Sequence, residues 1–187
     1  MSIRGSDHNL APAGRVGSRA LAAGTTAVYP GQGPCRIGRI VEKIVDGRAV
    51  MFYHLLVLSE NGGELFIPVE KARAIGLRLL IKKSEIPKLL THLQKSAKAA
   101  DNWKQRASDN SKLFNSGSPF DLAEIVASLT ELGDTRSLTL TESRTLDKAR
   151  KLLVCEISVV IGEEKTAVEG RVDKLLKARR DQTQPQK

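Results

Sequence analysis

Residues 24–33 read GTTAVYPGQG, and they open a series of short runs with the residue pattern of β-strands. These runs are residues 25–29, 35–45, 48–58 and 64–69. Pro30 to Pro34 cannot continue a strand, Asp46-Gly47 favours a tight hairpin, and Asn61 to Gly63 tolerates positive φ. We therefore expect consecutive strands to pair antiparallel.

The third run contains residues 51–58, MFYHLLVL, which are partly apolar on both faces. A strand of this kind lies in the centre of a curled sheet, because a flat hairpin would leave one face in water. The pattern predicts a small SH3-like or Tudor-like antiparallel β-barrel of four or five strands within residues 21–83. So small a module is marginally stable alone, and we expect it to pack against the rest of the chain.

From residue 84 the apolar residues repeat with helical spacing. The predicted helices cover residues 84 to about 94–96, 101 or 102 to 114, 119–133, 139–160 and 163–180. Ser84 and Ser118 are the predicted N-caps of the first and third helices, and Thr139 to Glu142 forms a capping-box pattern before the fourth. Five helices joined by short links predict a compact bundle over residues 84–181, and thus an α+β protein.

The composition supports a folded protein with small cores. Of 187 residues, 41% are apolar and 27% charged, whereas only 4% are aromatic. Residues 1–20 are rich in Gly, Ala and Ser and are expected to be a disordered arm, and residues 182–187 a frayed tail. No run approaches the ~18 apolar residues of a membrane helix, so we expect a cytoplasmic protein. Cys35 and Cys155 match no metal or redox spacing and are expected to be buried, reduced thiols.

The charge indicates a polyanionic partner. The formal net charge is +9 and the pI about 9.8, and Lys and Arg that neutralise phosphates release counterions from nucleic acid. The alternative is a solvated basic face without a partner. Residues 84–112 carry six basic against three acidic side chains, so the helical half is the expected nucleic-acid-binding part.

The chain lacks the local patterns of common enzymes. No glycine-rich phosphate loop precedes a helix, and no hydrolase signature occurs. His8, His54 and His92 are scattered without metal-ligand spacing, and His54 is interpreted as a partly buried sheet residue. We expect a non-enzyme with no catalytic residues, no cofactor and no metal site.

Two segments of each half resemble the CarD/CdnL family of bacterial transcription regulators. Residues 24–33 resemble its opening, which is shared with the polymerase-interaction domain of transcription-repair coupling factors, and residues 65–72, LFIPVEKA, resemble its terminal strand. Asn102-Trp103 and residues 146–153, LDKARKLL, resemble the family's helical half. A coupling factor would continue into helicase motor motifs, so the resemblance, which covers residues 21–180, favours the standalone regulator.

The resemblance implies that the Tudor-like domain binds the β subunit of RNA polymerase. It also implies that the helical domain contacts promoter DNA, through the minor groove and the backbone, at the upstream edge of the transcription bubble and stabilises the open complex. The implied polymerase contacts are Lys43, Arg48, Val50, Phe66, Ile67 and Pro68. The implied DNA contacts are Trp103 as a wedge, with Lys104, Arg106, Lys112, Arg144 and Lys148.

The sequence departs from the family pattern at four positions. Phe66 stands where relatives can have an arginine, so an apolar contact is expected to replace a salt bridge to polymerase there. Gln105, Ser108 and Ser143 stand where relatives are often more basic. Direct DNA affinity is therefore expected to be weak, with tethering by polymerase supplying the effective concentration.

Several alternatives stay open at this level. Trp103 and Phe66 could each be core residues. The protein could also be an autonomous nucleic-acid-binding protein that does not depend on polymerase, or a purely structural adaptor. We expect a monomer, although an exposed final strand could pair with a second chain.

Overall fold

The structure is a computed structural model that describes residues 21–59, 62–95 and 100–183, without the side chains of residues 182 and 183. The predicted disordered arm, residues 1–20, lies outside this range, as do residues 184–187 of the predicted tail. The described part folds as an antiparallel sheet followed by five helices, which confirms the predicted α+β class. None of its helices has the length and apolar character needed to cross a bilayer.

The sheet has five strands in the order β4-β3-β2-β1-β5, and all neighbours are antiparallel. The strands are β1 (Thr26–Tyr29), β2 (Gly33–Val45), β3 (Arg48–Val57), β4 (Glu64–Pro68) and β5 (Arg78–Leu79). The first four match the predicted runs. The fifth strand is only two residues long and pairs with Ala27 and Val28 of β1. Two residues are too few to show the alternating pattern from which the other strands were predicted.

Strands β2 and β3 form a long ribbon that projects beyond the rest of the sheet. Their turn is tight, because Asp46 and Gly47 both have positive φ, 50° and 76°, as the Asp-Gly pair predicts. Strand β1 pairs with β2 only as far as Arg36, and β4 pairs with β3 only as far as Phe52. The tip of the ribbon is therefore two strands wide, with both faces open.

Five helices follow the sheet. They are α1 (Ile86–Gln94), α2 (Trp103–Ser116), α3 (Pro119–Thr135), α4 (Leu140–Ile161) and α5 (Lys165–Thr183). The predicted caps at Ser118 and Thr139 are present, and Asn102 caps α2. Ser84 is not the N-cap of α1, because it lies inside a 3₁₀ turn, Lys83–Glu85, and the α-helix begins only after Glu85.

Each half of the chain has its own core. The helical core contains Leu89, Leu93, Ile125, Leu129, Leu153, Ile157, Val168 and Val172. The core of the β-domain contains Ala27, Cys35, Ile37, Leu55 and Ile67. Cys35 and Cys155 are buried and unbridged, as predicted. Burial raises the pKa of Cys35 to about 11, so this thiol stays protonated.

A buried ion pair joins the two halves. Arg78 of β5 donates two hydrogen bonds to the carboxylate of Glu156 in α4, at 2.7 and 2.8 Å, and Glu156 is 1% exposed. Arg78 Nε also donates to the carbonyl of Gly117, at 2.6 Å. Gly117 has a φ of 71°, and a Cβ there would lie 2.9 Å from Pro30. The pair therefore connects β5, α4 and the turn between α2 and α3.

Replacing Arg78 by Ala is expected to lower the free energy of unfolding by about 3–5 kcal/mol, because Glu156 would stay buried without a counter-charge. Urea denaturation measures this change. Arg171→Ala is the matched control, since its ion pair with Glu163 is solvent-exposed and such pairs contribute about 0–1 kcal/mol. Equal losses in the two variants would contradict the structural role of Arg78.

Candidate functional site

The strand register places five of the six predicted polymerase contacts on one face of the ribbon. Lys43 lies opposite Val50, Phe52 opposite Pro68, and His54 opposite Phe66. Directly opposite residues and alternate residues along a strand share a face of the sheet. We call the side that carries Lys43, Arg48, Val50, Phe66 and Pro68 the hairpin face.

Phe66 lies at the centre of a stack on the hairpin face. The Lys43 ammonium is 3.3 Å from the centroid of the Phe66 ring, and the His54 ring lies parallel to the same ring at 4.9 Å. His54 in turn pairs with Glu64 at 2.9 Å. Phe66 is 41% exposed, so it is a surface residue, and the alternative of core packing is excluded.

Ile67 is the sixth predicted contact, and the structure removes it from the hairpin face. It lies opposite Tyr53 on the other side of the sheet and is 7% exposed within the core of the β-domain. Strand alternation is the physical reason, because neighbours in a strand point to opposite faces.

A groove of about 660 Å³ runs between α2 and α4. We call it the α2/α4 groove. Its walls are lined by Trp103, Ala107, Asn110, Ser111, Phe114, Asn115, Thr139, Thr141, Glu142, Arg144, Thr145 and Lys148. Three of the predicted DNA contacts, Trp103, Arg144 and Lys148, are thus brought together from two helices.

Trp103 is the first residue of α2 and is 62% exposed at the edge of this groove. The alternative of a buried core anchor is therefore excluded. Leu140, the first residue of α4, is 68% exposed, between two threonines that line the groove. Leu140 was not identified from the sequence as a candidate contact. Its exposure could have been predicted, because Leu140 lies outside the apolar repeat that forms the buried face of α4.

The cations around the groove are free to bind an anion. Arg144 and Lys148 are exposed, and neither makes an ion pair within the part of the chain that the structure describes. The Lys148 ammonium lies 4.9 Å from the centroid of the Phe114 ring. Lys104 is also exposed, and its ammonium is 5.7 Å from the Trp103 ring.

The other two predicted DNA contacts are placed elsewhere. Arg106 is 7% exposed, and its guanidinium donates to Glu142 and to the carbonyls of Ala100 and Asp101. It is therefore a buried structural residue that is paired with Glu142. Lys112 lies nine residues after Trp103, which is about half a turn around α2, and it pairs with Asp109 at 3.6 Å.

Glu142 connects the first turns of α2 and α4. Its carboxylate accepts hydrogen bonds from Arg106, from Arg136 and from the backbone N–H of Thr139, all at 2.9 Å. Burial by itself raises the pKa of Glu142, but the Thr139 and arginine hydrogen bonds outweigh it and lower the pKa from 4.5 to about 2. The side chain is thus ionised at neutral pH, and two guanidinium groups match its charge.

Among the described residues, no cluster of His, Cys, Asp and Glu is arranged to hold a metal ion. The features that stand out are instead an exposed indole, free cations and a stacked aromatic ring. These are the groups with which proteins bind nucleic acid and other proteins.

Comparison with known proteins gives two matches. The sequence profile described as "CarD, C-terminal domain" matches residues 88–173. The 72-residue N-terminal domain of Myxococcus xanthus CarD, solved by solution NMR, is 35% identical, and the match covers 36% of this chain and 93% of that domain, with a TM-score of 0.28.

Glu142→Gln is expected to destabilise the protein at neutral pH by about 3 kcal/mol, the equivalent of the lowered pKa. Because the folded-state pKa is lowered, this stabilisation is present above pH ~4.5 and is lost as the pH falls towards 2. Denaturation of both proteins between these limits measures the difference. Glu163→Gln is the control, since Glu163 is exposed; a Glu142→Gln effect that persists unchanged at pH 2 would contradict the assignment.

Proposed function

The chain belongs to the CarD family of transcription regulators, and from this premise we propose that it binds the β subunit of RNA polymerase and stabilises the open promoter complex. The hairpin face contacts polymerase, and the α2/α4 groove contacts DNA at the upstream edge of the bubble. The protein is a non-catalytic monomer that acts in the cytoplasm and reaches the nucleoid through polymerase.

The exposed indole of Trp103 is the observation that carries this proposal. A 62% exposed tryptophan costs free energy in water unless a partner covers it. It lies beside free cations, so the covering partner has an aromatic or apolar surface next to negative charge. DNA at an opened base step offers both, since an inserted side chain stacks on a base while cations hold the adjacent phosphates.

Stabilisation of the open complex needs only preferential binding to one state. A factor that binds the open form more tightly than the closed form by about 1.4 kcal/mol shifts the ratio tenfold. Few cations surround Trp103, because Arg106 is buried and Lys112 lies on the opposite side of α2. The intrinsic DNA affinity is therefore weak, and polymerase tethering supplies the effective concentration.

The hairpin face supports the polymerase contact. Its stack presents an apolar ring beside an ammonium group, with the rest of the face formed by Val50, Pro68 and Arg48. Such a surface fits a partner that offers an apolar side chain next to a carboxylate. Phe66 gives this contact an apolar centre, whereas relatives can have an arginine there.

Trp103→Ala is expected to shorten the lifetime of the open promoter complex about tenfold, because the stacking contact exists only after the base step has opened. A competitor challenge of preformed complexes measures this lifetime, with polymerase saturated by the regulator. Lys112→Ala is the matched control, since it removes a charge from the opposite side of α2. Equal lifetimes for wild type and Trp103→Ala would exclude the wedge and favour a structural adaptor.

Lys43→Glu and Phe66→Ala are each expected to reduce co-purification of RNA polymerase at least tenfold. Each removes one partner of the Lys43–Phe66 stack at the centre of the hairpin face. Ile44→Ser is the control, since Ile44 is 69% exposed on the opposite face of the ribbon. Circular dichroism checks that all three variants fold. Undiminished retention of polymerase, together with salt-sensitive DNA binding in its absence, would favour an autonomous nucleic-acid-binding protein instead.

A further inference from the structure

We propose that the α2/α4 groove binds a short single strand of DNA along its length. The ligand is then an unpaired strand of the opened promoter, in addition to the base step at which Trp103 inserts. This inference rests on the proposed DNA contact and names its ligand.

The residues that line the groove extend over about three turns of α2. Trp103 and Phe114 line the groove from the same face of α2, and eleven residues of helix separate them by about 16 Å. A stacked strand rises about 3.4 Å per nucleotide and an extended one rises more, so this length holds a few nucleotides. The volume of about 660 Å³ lies in the range that encloses drug-sized ligands. A nucleotide or two of a single strand fits within this volume, with its neighbours along the rim, whereas a duplex would touch only the rim.

The cations of α4 are spaced for consecutive phosphates. Arg144 and Lys148 are four residues apart, so they lie on the same face, with Cβ atoms about 5–6 Å apart. This is close to the distance between neighbouring phosphates of one strand. Both side chains line the groove and are exposed, so two adjacent phosphates can be bound from one wall.

The walls between the aromatic and basic side chains are neutral and polar. They carry the amides of Asn110 and Asn115 and the hydroxyls of Ser111, Thr141 and Thr145. Amides and hydroxyls hydrogen-bond the edges of bases, and those edges are available in an unpaired strand. Glu142 also lines the groove, but Arg106 and Arg136 match its charge, so it does not repel a phosphate.

Aromatic side chains occur at two points along the groove. Trp103 stands exposed at one end, where it can stack on a base. Phe114, eleven residues further along α2, is half-buried against the helical core with Lys148 above its ring, so it forms an apolar wall of the groove. Proteins that bind single strands without strict sequence preference combine such stacking platforms with a basic track. The groove has both elements, at the scale of a few nucleotides.

The experiment uses the intrinsic fluorescence of the full-length protein, because Trp103 is the single tryptophan of the chain. An oligothymidylate strand is titrated in the absence of polymerase, and a closed DNA hairpin with the same number of phosphates is titrated in parallel. We expect saturable quenching by the single strand, with an affinity about tenfold higher than for the hairpin. Two phosphate contacts give a slope of about −1.4 in a plot of log K against log salt concentration.

Lys148→Ala is expected to weaken strand binding several-fold and to reduce the salt slope by about 0.7. Lys112→Ala removes the same charge from the far side of α2 and should leave both quantities unchanged. Hairpin binding as tight as strand binding, equal effects of the two lysine variants, or no quenching at millimolar strand concentration would each overturn the inference.

These outcomes are separable from those that test the proposed function. If strand binding is absent while Trp103→Ala still shortens the open-complex lifetime, the groove inference fails and the proposed function stands. If the strand binds as expected while the lifetime is insensitive to Trp103, the groove inference stands and the proposed function fails.

Discussion

The ion pair between Arg78 and Glu156 is the constraint on which the arrangement of the two halves depends. Removing two charges from water is costly, and the cost is offset only when geometry and additional hydrogen bonds satisfy both groups. Here the carboxylate also accepts from the backbone N–H of Ile81, and the guanidinium donates to Gly117. The small β-sheet half and the helical bundle are thus held together by directional contacts near the C-terminal end of α4. The N-terminal part of the same helix forms one wall of the groove.

The basic composition of the chain has two separate uses. Arg78, Arg106 and Arg179 are largely buried. Arg78 and Arg179 bind backbone carbonyls from segments distant in sequence, and Arg106 binds the carboxylate of Glu142, 36 residues away. Planar guanidinium groups suit this role, because they donate several hydrogen bonds in fixed directions. Lys104, Arg144 and Lys148 are a different population, because they are exposed and make no ion pair within the described part of the chain. A net charge of +9 therefore overstates the cations that a nucleic acid can reach.

The local features of the fold could be predicted from sequence, and the long-range ones could not. Strand runs, the Asp46-Gly47 turn and the caps at Ser118 and Thr139 follow from residues within a few positions of one another. Strand alternation separates Ile67 from Phe66 and Pro68, but which of the two faces is buried depends on the packing of the sheet. The role of Arg106 requires Glu142, 36 residues away. The groove requires two helices to be placed side by side. Trp103 was found through a family resemblance, whereas its exposure became clear only in three dimensions.

Glu142 has a consequence for how this protein can diverge in evolution. The same carboxylate caps α4 through Thr139 and neutralises Arg106, whose guanidinium binds the carbonyls of the turn before α2. A single substitution at this position therefore disturbs the starts of two helices at once. A change of Glu142 alone would leave the buried Arg106 without its counter-charge, so we expect Glu142, Arg106 and Arg136 to change together, whereas exposed residues of the groove can change singly.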